Sequence, residues 1–167
     1  MSYIIYTDGS CRGNGTENSS GGFGVVITKD NELVATYRKD CETDTTNNRE
    51  ELKAILYAFL NYGVKEENDW NNNIPIVYSD SNYCVQTFND WMFKWANNNW
   101  IKSDKKVPEN LELIQAYYNW YQKGYRIDLR KIKGHNGHLG NELADKLATG
   151  EIKTFEEAEI FWKTYNK

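Results

Sequence analysis

Asp8, Glu51, Asp80 and Asp145 are the side chains of this sequence best placed to do chemistry. Asp8 ends the apolar run 2–7 (SYIIYT), and Asp80 closes a second run, 74–79 (IPIVYS). Glu51 stands one helical turn before apolar Ile55, so it leans toward the face that its helix buries. Asp145 lies on a short helix with Asn141 and Glu142 on its face. Sites in α/β folds gather near the carboxyl ends of strands, so two parallel strands ending in Asp8 and Asp80 would make these carboxylates neighbours. Two such charges about 4 Å apart repel by about 4 kcal/mol at an effective dielectric of about 20. Four together are tolerable only with protonation or a bound cation. Oxygen ligands without a His/Cys cluster select a hard ion, Mg²⁺ or Mn²⁺. On spacing alone a plainer reading stays open, since a chain with 24 Asp and Glu places some at strand ends by chance.

The elements that must hold these groups follow from the hydrophobic pattern. Residues 2–7 are β-branched and aromatic and apolar on both faces, which predicts a central strand. A Gly/Asn/Ser-rich loop runs from Asp8 to Gly22. Strands 23–28 and 32–38 follow, with Lys29-Asp30-Asn31 as a hairpin turn. A helix comes next, capped by Thr46 or Asn47, with Leu52, Ile55, Leu56 and Phe59 at i, i+3, i+4, i+7. Residues 63–73 read as a loop and 74–79 as a strand parallel to the first, by the βαβ rule. A short helix begins near Ser81. Pro108 opens a helix carrying Leu111, Ile114, Tyr118 and Tyr121 and stopped by Gly124. Residues 125–132 form a strand, 134–140 a loop and 141–149 a short helix. Thr154 and Glu157 make a capping box for a last helix with Phe155, Ala158, Trp162 and Tyr165 on one face. The order βββαβα…αβα gives an α/β fold with a mixed sheet and helices packed on it.

Composition bounds the rest. The 167 residues suit one domain: a body over 1–150 and a C-terminal helical extension of the same domain over 151–167. No apolar run approaches a membrane span, and Met1-Ser2-Tyr3 opens no signal peptide. Cys11, Cys41 and Cys84 are odd in number and form no C-x-x-C pair, which argues against a disulfide framework or a zinc site and points to a reducing, cytoplasmic compartment. Net charge is −4, yet bases concentrate locally: Lys94, Lys102, Lys105 and Lys106 in one stretch, Lys123, Arg126, Arg130, Lys131 and Lys133 in another. A basic patch matters more to a nucleic-acid partner than the total, and an acidic metal site lowers the total without repelling substrate once metal is bound.

Four strings now connect these readings. Residues 7–14 (TDGSCRGN), 45–52 (TTNNREEL), 78–83 (YSDSNY) and 133–145 (KGHNGHLGNELAD) resemble, in order and spacing, the active-site motifs of type 1 ribonuclease H, the bacterial ribonuclease HI group. The resemblance spans about residues 3–149. It implies a five-stranded mixed sheet, three antiparallel strands then parallel ones, flanked by helices. It implies an endonuclease that hydrolyses the RNA strand of RNA–DNA hybrids and leaves 5′-phosphate and 3′-hydroxyl ends. Asp8, Glu51, Asp80 and Asp145 would ligate two Mg²⁺ ions, with Mn²⁺ as substitute, one activating water and the other stabilising the departing oxygen. His135 matches the family's loop histidine, which serves proton transfer or product release. His138 reads as a helix-entry residue.

The same resemblance places Asn14, Asn47, Asn48 and Asn82 along the minor groove of the hybrid, where 2′-hydroxyls tell RNA from DNA. Thr46 with Asn48 matches a pocket for a DNA-strand phosphate. Asp44 departs from the family there, standing where relatives often place a base, and would weaken that pocket. Residues 91–106 resemble the family's basic protrusion, with Trp91, Trp95 and Trp100 as anchors and Lys94, Lys102, Lys105 and Lys106 facing the hybrid; a solvated hairpin without a binding role is the plainer alternative. The 15–20 loop (GTENSS) is longer than the family's usual one. A monomer without an obligate protein partner is expected. Three other readings remain: an integrase- or transposase-like nuclease acting on DNA, which usually presents three acids; a non-catalytic hybrid-binding domain, which would have lost a carboxylate; and a domain fused to a reverse transcriptase, against which the opening Met and closing helix argue.

Overall fold

The hairpin expected at Lys29-Asp30-Asn31 starts the sheet. Asp30 and Asn31 both adopt positive φ, the geometry of a two-residue turn whose twist matches its strands. The computed structural model describes residues 2–12, 20–42, 44–65, 73–133 and 138–166. Strand β1 (Ile4–Arg12) pairs antiparallel with β2 (Ser20–Lys29), and β2 with β3 (Glu32–Asp40). Helix α1 (Asn47–Tyr62) crosses over to β5 (Ile76–Ser79), which lies parallel to β1, and β7 (Asp128–Lys131) lies parallel to β5. The sheet order β3-β2-β1-β5-β7 is the five-stranded mixed sheet expected.

Two expectations about strands are corrected. Asp8 does not end β1: the strand continues to Arg12, with Asp8 opposite Gly24 and Arg12 opposite Ser20. Glycines on β2 let it follow; Gly21 and Gly22 take extended positive-φ conformations that a side chain would resist. On the other side of β1 the parallel rungs to β5 stop at Tyr6 and Tyr78. Asp8 therefore sits just past the point where β1 and β5 part. The single strand expected over 125–132 is two: β6 (Tyr125–Arg126) pairs with β4 (Val64–Lys65) in a separate small sheet, inside what reads as a loop.

After β5, Ser81 caps α2 (Asn82–Gln86), a wide π turn spans Thr87–Trp91, and α3 (Met92–Ala96) completes the rod. Helix α4 is Leu111–Gln122, not a helix opened by Pro108; the chain enters it through Asn110 in a left-handed conformation. Helix α5 (Leu139–Thr149) starts two residues earlier than its apolar pattern suggests, and α6 (Phe155–Tyr165) begins with the expected capping box, the Glu157 amide donating to Thr154 Oγ1 at 3.1 Å.

Two apolar clusters sandwich the sheet. On one face Leu52, Ile55 and Phe59 of α1 meet Ile5, Val25 and Val77, with Phe88, Met92, Ile114 and Tyr117 closing the cluster. On the other, Leu143 and Leu147 of α5 and Ala158 and Trp162 of α6 cover Val26. Phe155 and Tyr165, expected on the buried face of α6, are partly or largely exposed. The three cysteines are free; Cys11 and Cys84 are buried. Among the described residues no helix is long and apolar enough to cross a membrane.

Candidate active site

Close packing draws the acids together. A Cβ on Gly9 would collide with the backbone of Glu50 and Glu51, so the glycine lets the start of α1 lie directly against β1. Asn47 fastens that contact: its Oδ1 accepts the Cys11 amide at 2.7 Å. Gly140 plays the corresponding part for α5, where a Cβ would strike the Tyr6 ring. Glu51 from α1 and Asp145 from α5 are thus brought to Asp8 from opposite faces of the sheet, and Asp80 arrives at the end of β5.

Oxygen atoms of Asp8, Glu51 and Asp80 all lie within 4.8 Å of one another. Asp145 is close enough to help raise the Asp8 carboxyl. The four acids share a cavity of about 370 Å³ with Ser10, Asn47, Asn141, Glu142 and Lys146. Burial, followed by the charges of Asp80 and Glu51, pushes the Asp8 carboxyl up to about 9. Burial and then the Asp80 charge push Glu51 up to about 8. Lys146, which lines the cavity, is paired with Glu151 at 2.9 Å, so neighbouring carboxyls forced to keep protons form a site short of counter-charge, which a divalent cation provides. Asn141 adds a neutral amide: it is almost fully buried and its Oδ1 has no hydrogen-bond partner. An all-oxygen set with an unsatisfied neutral oxygen beside it fits a hydrated hard ion.

The adjacent glutamate does a different job. Glu50 is fully buried on the far side of α1; its Oε2 accepts from Thr45 Oγ1 at 2.6 Å and pairs with Lys53 at 3.1 Å. Residue type alone cannot separate Glu50 from Glu51. Their positions one step apart on a helix, about 100° in rotation, send them to different environments.

The expected substrate residues divide. Thr46 caps α1, its Oγ1 accepting the Arg49 amide at 3.1 Å, which leaves its hydroxyl proton for an outside acceptor. Asn48 and Asn82 open α1 and α2 on the exposed surface, and among the described residues their side chains make no hydrogen bond. Asp44 is exposed in a left-handed turn. Lys94 pairs with Asp90 at 3.5 Å and Lys102 with Asp104 at 3.7 Å; Lys105 and Lys106 are exposed. Lys94 and Lys102 line a second cavity, about 680 Å³, whose wall includes Tyr83, Trp91, Trp95 and Ser103. Trp91 and Trp95 are expected anchors; Tyr83 was not anticipated, though its aromatic type beside Asn82 was a signal. Trp100 packs edge-on against Tyr118 at 5.3 Å, as an anchor should, while Lys105 and Lys106 stay outside this cavity. His138 is the entry residue of α5. Asn14, His135 and residues 15–19 of the long loop lie outside the described residues.

A β3-β2-β1-β5-β7 sheet with acids converging where β1 and β5 part defines the ribonuclease H-like class of fold. The RNase H family model matches residues 1–153. The Ribonuclease H of Orientia tsutsugamushi (strain Boryong) is 37% identical over 158 residues, covering 93% of this chain and 85% of that protein. The crystal structure of LC9-RNase H1, a type 1 RNase H with the type 2 active-site motif, superposes with a TM-score of 0.66 at 30% identity, over 90% of this chain and 72% of that one. The foamy viral protease-reverse transcriptase in complex with an RNA/DNA hybrid superposes with a TM-score of 0.70 over 89% of this chain; at 21% identity the likeness is of fold, and this chain spans 19% of the viral one. The chain belongs to the ribonuclease H family, a family of metal-dependent nucleases.

Proposed function

We propose that this protein hydrolyses the RNA strand of RNA–DNA hybrids by a two-metal-ion reaction that leaves 5′-phosphate and 3′-hydroxyl ends. The observation that carries the reading is the meeting of Asp8, Glu51 and Asp80 within 4.8 Å, with Asp145 lining the same cavity, in a chain of this family. Two Mg²⁺ ions, or Mn²⁺, supply Lewis acidity when bound: they activate water and stabilise the leaving oxygen. Asp8, Glu51, Asp80 and Asp145 hold them, and His135 aids proton transfer or product release. Asn14, Asn47, Asn48 and Asn82 line the minor groove, where an amide can both donate to and accept from a 2′-hydroxyl. The Thr46 hydroxyl donates to a DNA-strand phosphate. Lys94, Lys102, Lys105 and Lys106 face the duplex, with the aromatic wall of Tyr83, Trp91 and Trp95 giving Lys94 and Lys102 a groove to line. Residues 1–150 form the catalytic body and 151–167 extend the same domain. The protein acts as a monomer in the cytoplasm.

Labelled RNA–DNA hybrid, double-stranded RNA and double-stranded DNA offered separately with Mg²⁺ test the reading. Cleavage of only the RNA strand of the hybrid, abolished by chelator, is expected. Cleavage of double-stranded DNA at a comparable rate would overturn it in favour of an integrase-like activity.

A further inference from the structure

Glu50 is a fully buried carboxylate that takes no part in the acid cluster. Burying a charge is costly unless partners compensate, and an apolar residue of similar size is often the more stable occupant. The compensation here is incomplete. Lys53, one turn further along α1, pairs with Oε2 at 3.1 Å, and the Thr45 hydroxyl donates to the same oxygen at 2.6 Å. Oε1 has no hydrogen-bond partner among the described residues. What the carboxylate gains is a grip on the chain just ahead of its own helix.

That stretch is held from several sides. The Glu50 amide donates to the Thr46 carbonyl oxygen at 3.1 Å while its carboxylate takes the Thr45 hydroxyl, so one residue fixes both threonines. The Cys11 thiol donates to the Thr45 carbonyl oxygen at 3.4 Å, and the Cys11 amide to Asn47 Oδ1 at 2.7 Å. Thr45 itself is buried. Thr46, between these anchors, is partly exposed, and its Oγ1 accepts the Arg49 amide at 3.1 Å. Asp44, exposed two residues before Thr46, brings a negative charge where a phosphate would gain from a positive one. A pocket so placed depends on a donor held ready in its bound position more than on charge.

We propose that Glu50 is a positioning residue for the DNA-strand phosphate: through its hydrogen bond with Thr45 it holds the turn that aims the Thr46 hydroxyl. The proposal rests on the reading of Thr46 as the donor to that phosphate. It assigns Glu50 an effect on substrate affinity at one phosphate, and none on metal binding.

The test uses Glu50→Met, which removes the acceptor and fills its space; Glu50→Gln, which keeps an acceptor for Thr45; Thr45→Val, which removes the donor at nearly constant shape; and Glu50→Met combined with Thr45→Val. Each is measured for KM and kcat on hybrid, for Mg²⁺ affinity by calorimetry, and on hybrids with a single neutral methylphosphonate at successive positions of the DNA strand. Thr46→Gly, a change tolerated at an N-cap, locates the contact: the position whose methylphosphonate penalty it removes is the phosphate that Thr46 meets. Glu50→Met is expected to raise KM on the unmodified hybrid about fivefold, with kcat and Mg²⁺ affinity changed less than about twofold, and to remove the penalty at that same position. Thr45→Val should do the same, Glu50→Gln should restore most of the affinity, and the double variant should be no worse than either single one. A normal KM with the penalty intact in Thr45→Val overturns the proposal, whether or not Glu50→Met folds. So does a loss in Glu50→Met that spreads over kcat and Mg²⁺ affinity while the penalty stays, the mark of a merely structural residue. Should no position lose its penalty in Thr46→Gly, the underlying reading of Thr46 falls, and the proposal with it.

Discussion

Burial and three neighbouring carboxyl groups hold the Asp8 side chain at about 9, and Glu51 stands near 8 for similar reasons. These are properties of a coupled cluster, so the protons leave it in steps shared among the acids. A carboxyl raised above its unfolded value of about 4 keeps its proton in the folded state while the unfolded chain releases it. Folding then takes up protons, and the metal-free protein should lose stability as pH rises from about 4 through about 9. Mg²⁺ replaces those protons, so its stabilisation should grow over the same range and its binding should release protons. Thermal unfolding with and without Mg²⁺ at pH 6 and pH 8.5 reads the first effect; calorimetry in buffers of different ionisation enthalpy reads the second. Stability of the metal-free protein that is flat in pH would contradict the cluster. Asp8→Asn removes the ionisable group, and with it the cost of taking up a proton on folding, at nearly constant shape. It should abolish hydrolysis and stabilise the metal-free protein by about 1 kcal/mol, or about 3 °C in Tm. Asp80 was legible because charge at a strand end is conspicuous; Asp8, inside β1, and the helical Glu51 and Asp145 stood out through their strings. Glu50 shows the limit: a buried glutamate beside the candidate ligand Glu51 is the same residue type, and the turn from Glu51 to Ile55 and the TTNNREEL string told them apart.

At the scale of elements the sequence reading succeeds where side-chain periodicity decides and fails where the backbone does. Helix α1 and the hairpin turn follow their patterns because burial and turn chemistry agree. The extension of β1 past Asp8 was hidden, since glycine- and serine-rich strings normally break strands; here pairing with β2 overrides that preference. Pro108 pointed to a helix start, but the helix waits for Asn110, whose side chain accepts from Arg49, a distant partner no local pattern reveals. Helix α6 lies beyond the family match yet buries Trp162 and Ala158 against the sheet. Removing residues 154–167 should therefore cost about 3 kcal/mol, comparable to losing a buried tryptophan, and lower Tm measurably while the carboxylate site stays intact. An unchanged Tm would make α6 an appendage instead of part of the domain. The lysine-bearing segment yields a second expectation. Lys94 and Lys102 each have an aspartate partner, so the four lysines present a net charge nearer two than four. Replacing all four with alanine should weaken hybrid binding and reduce the slope of log affinity against log salt by about 2–3. A slope that does not move would assign the protrusion to scaffold alone.

In the proposed function the choice of strand belongs to the whole molecule, because the acids and the exposed amides come from separate elements. Glu51 follows Asn48 by one turn of α1, and Asn82 begins α2 two residues after Asp80. In the proposed function, a duplex phosphate presented to the acids would bring the neighbouring sugars past the amides. Asn48 and Asn82 make no hydrogen bond to the described residues, so both are available to sugar hydroxyls. A site built to bond a hydroxyl discriminates against its absence, by as much as about 10⁴-fold where the polar groups become buried and unpaired. The protein should accordingly cut hybrid and leave an all-DNA duplex intact, and should need several consecutive ribonucleotides, because in the proposed function Asn48 and Asn82 would read different sugars. Asn48→Ala should raise KM for hybrid about tenfold while Mg²⁺ affinity holds, since this amide is not a metal ligand in the proposed site. Chimeric duplexes with one to five ribonucleotides, assayed at saturating Mg²⁺, measure the requirement directly. Efficient cleavage at a lone ribonucleotide would mean that one amide suffices, and that the spacing of the two asparagines has no part in the selection.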